Sequence, residues 1–158
     1  IGVNVFVAMQ KYVAKIMNAY PQYDVAMEET HHIHKLDSPS GTAITIANAI
    51  TDNLDRKQSW KETSCLWLNE DMSVNVDRNA EMNTTFAPHN EDELEVVAFR
   101  RGEGPGIHTV VYDSEVDTIT MTHSAKSRRG FALGAVVAAE WMADGKKGVY
   151  TMTDLMKF

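Results

Sequence analysis

The residues able to do chemistry crowd into one stretch, Glu28 to Ala43, with the sequence EETHHIHKLDSPSGTA. His31, His32 and His34 offer groups that change charge near neutral pH. Lys35 adds a positive charge beside them. The turn Ser38-Pro39-Ser40-Gly41-Thr42 follows at once. Read as a helix start, Ser38 caps it and Pro39 takes the first helical position, where a missing N–H costs nothing. The N–H groups of Ser40, Gly41 and Thr42 then remain as free donors at the positive end of a helix. The hydroxyls of Ser40 and Thr42 add donors, and Gly41 lets a ligand approach the backbone closely.

Two chemistries fit this arrangement. In the first, helix N–H groups and Lys35 hold a carboxylate while a histidine gives or takes a proton. In the second, the segment binds a metal. If it is extended, His32 and His34 share one face, with His31 on the other, and Asp37 supplies a third ligand. Lys35 opposes the metal reading, and no H-E-x-x-H or C-x-x-C spacing accompanies it. A third reading leaves the histidines as hydrogen-bonded parts of the fold.

Several elements must position these residues. Phe6, Met9, Val13, Ile16, Met17 and Tyr20 recur at helical spacing, with Asn4 as a cap and Pro21 as a stop. Tyr23, Val25 and Met27 alternate, which predicts a strand leading into the histidines. A second helix is expected from about Ser40 to Leu54, with Ala43, Ile44, Ala47 and Ile50 on its apolar side. Ser64 to Glu70 is a candidate strand or an irregular segment, and residues 71–91 are polar without clear period. Glu93 to Arg101, Ile107 to Asp113 and Asp117 to Ala125 read as three strands with short links, an antiparallel meander. Gly102, Gly104 and Gly106 lie between two strands at G-x-G-x-G spacing, which suits a hairpin loop and not a dinucleotide fingerprint. A last helix is predicted from Arg129 to about Asp144, with Gly145 at its end. The pattern as a whole is α+β: a mixed, largely antiparallel sheet with helices packed on one face.

Bulk properties narrow the function. The chain has 158 residues, is 44% hydrophobic and carries a net charge of −7, which argues against a nucleic-acid partner. Cys65 is the one cysteine, so no internal disulfide forms and a reducing compartment is expected. The longest apolar run, Phe131 to Ala143, contains Glu140 and is too short for a membrane span. A cytoplasmic protein without a membrane partner is expected. The chain opens at Ile1, not at Met, and reads as part of a longer protein.

The run Glu29 to Ala43 closely resembles the signature of the 4-hydroxy-tetrahydrodipicolinate (dihydrodipicolinate) reductase family. Glu29, His31, His32, Lys35, Asp37, Pro39, Ser40, Gly41, Thr42 and Ala43 all match its pattern. The resemblance extends to IGVNVF at the start, GIHTVVY in the sheet and THSAKSRRGFALGAV near the end. It implies an enzyme that reduces a cyclic unsaturated dicarboxylate with NADPH or NADH in lysine and diaminopimelate synthesis. It implies His31 as the general acid, His32 and Lys35 as substrate ligands with Lys35 offsetting negative charge, and Ser40, Gly41 and Thr42 as the carboxylate clamp. Arg128 corresponds to a position near the junction with the cofactor domain, which implies a cofactor-binding role. Residues 1–127 would form the substrate-binding, catalytic and tetramerisation domain. Residues 128–158 would be a helix and tail returning to a dinucleotide-binding domain. The family's glycine-rich loop has no match here, so the chain is expected to bind substrate without turning it over alone. The helix from Arg129 would lack its packing partner, and the sheet would assemble a homotetramer. The alternative is a stand-alone dicarboxylate- or metal-binding module.

Overall fold

Five strands make one mixed sheet in the computed structural model, which describes residues 1–157; Phe158, the end of the expected tail, lies outside them. In chain order the elements are α1 (Gly2–Met17), β1 (Asp24–His31), α2 (Gly41–Thr51), β2 (Ser59–Trp67), α3 (Val76–Glu81), β3 (Glu93–Arg100), β4 (Ile107–Asp113), β5 (Thr118–Ser124), α4 (Arg129–Met142) and α5 (Met152–Met156). The sheet order is β2-β3-β1-β4-β5. This is the α+β, mixed-sheet architecture expected from the sequence, with the pairings divided between parallel and antiparallel where the sequence predicts a largely antiparallel sheet. Its connections differ from a meander in one respect. β3 and β4 do not pair with each other, because β1 lies between them, parallel to β3 and antiparallel to β4. Only β4 and β5 form a hairpin, and β2 runs parallel to β3. The physical reason is burial. β1 carries Val25, Met27, Glu29 and His31 inward, and the central place pairs both of its edges.

The glycine loop is therefore a crossover past the end of β1, not a hairpin. Arg101 N–H donates to His31 O at 2.8 Å, and Ile33 N–H donates to Gly102 O at 3.1 Å. The loop is thus stitched to the histidine segment. Gly106 has φ +146°, and a Cβ there would lie 2.6 Å from His31 Nε2. Only glycine lets the loop close on that ring.

The core lies between one sheet face and the helices α1 and α2. Met27, Val96, Val110 and Tyr112 from the sheet meet Ile46, Ala47, Ile50 and Phe6 from the helices. α1 starts at Gly2 without a side-chain cap, so Asn4 does not cap it. Its buried face is Phe6, Gln10, Ala14 and Met17, while Met9 and Ile16 are exposed. α2 is capped by Ser40, whose hydroxyl accepts from Ala43 N–H at 3.1 Å, and ends at Thr51. Pro39 precedes the helix, and the capping hydroxyl is that of Ser40, not of Ser38. In the polar stretch 71–91 the Asn75 side chain caps α3 by accepting from Arg78 N–H.

The C-terminal part is different. α4 buries only Gly134, and its Phe131, Leu133 and Val136 are exposed. α5 folds back so that Tyr150 meets Trp141 edge-to-face at 5.2 Å. Among the described residues no helix is long and apolar enough to cross a membrane.

Candidate active site

The chemistry-bearing residues gather where β1 and β3 end and β4 begins. Strand register explains the meeting. His31 is level with Arg100 across the parallel pair, and Glu29 is level with His108 across the antiparallel pair. All four side chains point inward, onto the face that α2 covers, and all four are buried. Ser40 arrives from above at the start of α2.

Glu29 is the hub. One carboxylate oxygen, Oε2, pairs with His31 Nδ1. The other, Oε1, accepts from Ser40 N–H at 3.0 Å and from an Arg100 guanidinium nitrogen at 3.1 Å. Burial works to raise the Glu29 pKa. The bond from His31 and the positive charges of Arg100 and His31 outweigh it and hold the pKa down at about 2. Glu29 is therefore an anion at any physiological pH. His108 donates to or accepts from Ser40 Oγ at 3.1 Å, and its ring meets that of His31 edge-on at 5.2 Å. Burial, then the nearby His31, pushes the His108 pKa down to about 4, so this imidazole stays neutral.

The remaining sequence candidates form a more open rim. β1 stops at His31, so the extended alternation does not run on to His34. His32 and His34 still line one pocket of about 470 Å³, together with Glu103, Pro105, Lys126 and Arg128. Arg128 donates to His32 Nε2 at 3.3 Å. Partial burial and that guanidinium lower the His32 pKa from its usual value. His34 is paired with Glu103 at 2.9 Å on the surface. His31 opens instead toward a smaller recess of about 160 Å³ lined by Thr30, Arg101, Gly102 and Ile107, and Glu103 borders both hollows. Lys35 Nζ rests on the Asp37 carboxylate at 2.7 Å. The bond from Lys35 holds Asp37 below the usual carboxylate range.

The turn differs from its sequence reading at Ser40. That residue is buried, its N–H is committed to Glu29, and its hydroxyl is committed to Ala43 and His108. The N–H groups of Gly41 and Thr42 precede the first intrahelical bond, which runs from Ile44 N–H to Ser40 O. They are the donors left for a ligand, and Gly41 has open space where a Cβ would stand.

The metal set suggested by spacing does not converge, since Asp37 is engaged with Lys35. A different trio, Glu29, His31 and His108, brings its ligand atoms within 4.8 Å of one another. The side chains are already engaged, Glu29 with His31 and Arg100 and His108 with Ser40, and the Arg100 cation sits against the trio. This is the chemistry of a proton-handling group more than of a metal cradle.

A family model described as "Dihydrodipicolinate reductase, C-terminus" matches residues 2–156. The chain belongs to the dihydrodipicolinate reductase family. The 4-hydroxy-tetrahydrodipicolinate reductase of Christiangramia forsetii is 42% identical over 156 residues, which are 99% of this chain and 55% of that protein. The Aquifex aeolicus reductase is 34% identical over 99% of this chain and 51% of its own length. Among solved structures, the dipicolinate-bound dihydrodipicolinate reductase from Paenisporosarcina sp. TG-14 aligns with a TM-score of 0.54 and 25% identity. That alignment covers 86% of this chain and 44% of that one. The chain thus spans about half the length of the curated reductases it matches.

Reductases of this family use a nicotinamide cofactor. The described glycine loop is not a dinucleotide fingerprint. Gly102, Gly104 and Gly106 link two strands and do not open a helix, so no phosphate cradle of the G-x-G-x-x-G kind is formed.

Sequence reasoning missed Arg100 and His108 and gave Glu29 no role. A signal for two of them was present. In ELEVVAFR the inward positions read Leu94, Val96, Ala98, Arg100, and in IHTVVYD they read His108, Val110, Tyr112. A charge or imidazole at the strand end of an apolar row marks a buried polar site.

Proposed function

We propose that this chain is the substrate-binding and proton-delivering half of a 4-hydroxy-tetrahydrodipicolinate reductase working in the cytoplasm. The observation that carries it is the buried Glu29–His31 pair at the mouth of a recess, flanked by Lys35 and the α2 start. The overall reduction consumes a hydride and a proton and releases the substrate hydroxyl as water, giving tetrahydrodipicolinate. NADPH or NADH, held by the rest of such a reductase, would supply the hydride. The residues here supply the rest. The Gly41 and Thr42 N–H groups receive one carboxylate, with Ser40 fixing the turn they stand on. Lys35 exchanges Asp37 for the substrate's negative charge, and His32 contacts the substrate from the rim. His31, backed by the Glu29 anion, gives its proton to the ring carbon. Arg128 and Lys126 make the outer rim attractive to an anion, which suits the edge nearest the cofactor.

The division of the chain follows. Residues 1–127 bind and protonate, while the exposed apolar face of α4 and the tail pack against the dinucleotide-binding domain. The outer sheet face presents Val97, Phe99, Thr109 and Val111 half-buried, which suits sheet-on-sheet assembly into a homotetramer. Light scattering of the chain in solution should return four times 17.7 kDa; a monomer mass sinks the tetramer.

The direct test is titration of pyridine-2,6-dicarboxylate into the chain in excess EDTA, followed by histidine ring NMR. Saturable shifts at His31 and His32 that vanish in Lys35→Ala are expected. Shifts that persist in that variant, or no shifts at all, count against the proposed clamp.

A further inference from the structure

We infer that Glu29 and Arg100 are positioning residues for the reaction: Glu29 sets the His31 ring with Nδ1 as a donor, and Arg100 fixes both that carboxylate and the turn that carries Lys35. The inference rests on the reading of His31 as the acid.

Arg100 spends its donors in a telling way. One guanidinium nitrogen, Nη2, gives to Glu29 Oε1 at 3.1 Å and to Asp37 O at 2.8 Å. Nε gives to Lys35 O at 3.3 Å, and Nη1 gives to Phe99 O at 2.8 Å. Neither the Arg100 nor the Glu29 side chain is exposed. A buried ion pair is a poor way to gain stability, because removing two charges from water offsets most of their attraction. What this pair does achieve is geometric. The planar fork ties the end of β3 to the backbone on both sides of Leu36, so Lys35 stands at a set distance from the acid. Through Glu29 the same fork fixes the ring that delivers the proton. An acceptor held at Nδ1 leaves Nε2 as the nitrogen turned toward the glycine loop and the recess.

The hydrogen-bond directions make the idea testable. Glu29 Oε1 receives two N–H groups, from Ser40 and Arg100, and neither can turn round to accept. In Glu29→Gln the amide oxygen must therefore occupy that place. Its NH2 is then aimed at His31 Nδ1, which must become an acceptor. The neutral ring flips to the Nε2–H tautomer, and a second proton at Nδ1 would face a donor.

The experiment is ¹⁵N long-range correlation of the histidine rings in the whole chain, Ile1 to Phe158. We expect the parent to show His31 with a protonated Nδ1 and Glu29→Gln to show a bare Nδ1. Glu29→Asp, which keeps the charge, should retain the parental pattern. A Glu29→Gln spectrum that still shows a protonated Nδ1 overturns the inference about Glu29. Arg100→Lys keeps a cation beside Glu29 but loses the fork. It should weaken pyridine-2,6-dicarboxylate binding by about tenfold, the worth of one lost hydrogen bond, with the His31 pattern unchanged. Equal affinity overturns the inference about Arg100, and this variant decides the matter if Glu29→Gln does not fold. Failure of the underlying reading looks different: the parent itself would not bind the dicarboxylate, whatever its ring pattern.

Discussion

Two helices of similar apolar character are treated in opposite ways by this fold. α2 has 11 residues and buries Ala43, Ile46, Ala47, Ala49 and Ile50. α4 has 14 residues and buries Gly134 alone. The difference lies in what each helix is offered. α2 lies on the sheet beside α1, and its first turn is bonded to β1 through Ser40 and Glu29. α4 leaves the edge strand β5 with the short α5 folded beside it and Ile1 close to Gly134. The contrast separates two jobs. The sheet, α1 and α2 hold the site together from within the chain. The α4 face, with Phe131, Leu133 and Val136 exposed, adds little to that stability.

The sharpest way to break this comparison is a matched pair of truncations. Ile50 is fully buried and Leu133 is 58% exposed. Ile50→Ala should cost about 2–5 kcal/mol, from lost burial and the cavity left behind. Leu133→Ala should fall within about 0.5 kcal/mol, as for surface positions generally. Urea unfolding of the chain, followed by circular dichroism, measures both. Equal costs would mean that α4 is packed in solution and that the two helices do the same work.

The same contrast explains what could be read from the sequence. α2, β1 and β4 were legible because burial imposes a period, and their residues keep it. The meander reading held for β4 and β5 but failed between β3 and β4, because strand periodicity says which face is buried but not which strand is the neighbour. β1 inserted between β3 and β4 is a long-range choice, fixed by pairing both of its edges. The site divided along the same line. His31, His32, Lys35 and the Ser40-Gly41-Thr42 turn sit within one local run and were visible as a group. Arg100 and His108 lie 69 and 77 residues beyond His31 (100 − 31 and 108 − 31), and only strand register brings them to it. Ser40 was placed correctly in the turn but not in its bonding. Its neighbours in sequence do not reveal that Glu29 would claim its N–H.

A smaller effect sharpens the comparison without touching any contact, because it moves only protons. α4 and α5 bury no titratable side chain, whereas the strand-end cluster buries His108 and Glu29. His108 falls from 6.5 to about 4 on folding. Between those pH values the unfolded chain binds a proton that the folded chain refuses, so stability declines as pH falls from 6.5 to 4. Glu29 falls from 4.5 to about 2. Its contribution is present above pH 4.5 and is lost as pH drops from there through 2. Two consecutive acid slopes are therefore expected in the urea midpoint plotted against pH. His108→Gln removes the titrating ring but keeps a group able to bond Ser40. It should flatten the upper slope and leave the lower one. Leu133→Ala should leave both slopes as they are. An upper slope that survives in His108→Gln would assign it to an exposed histidine, and the strand-end cluster would lose its claim to be the pH-sensitive part of the molecule.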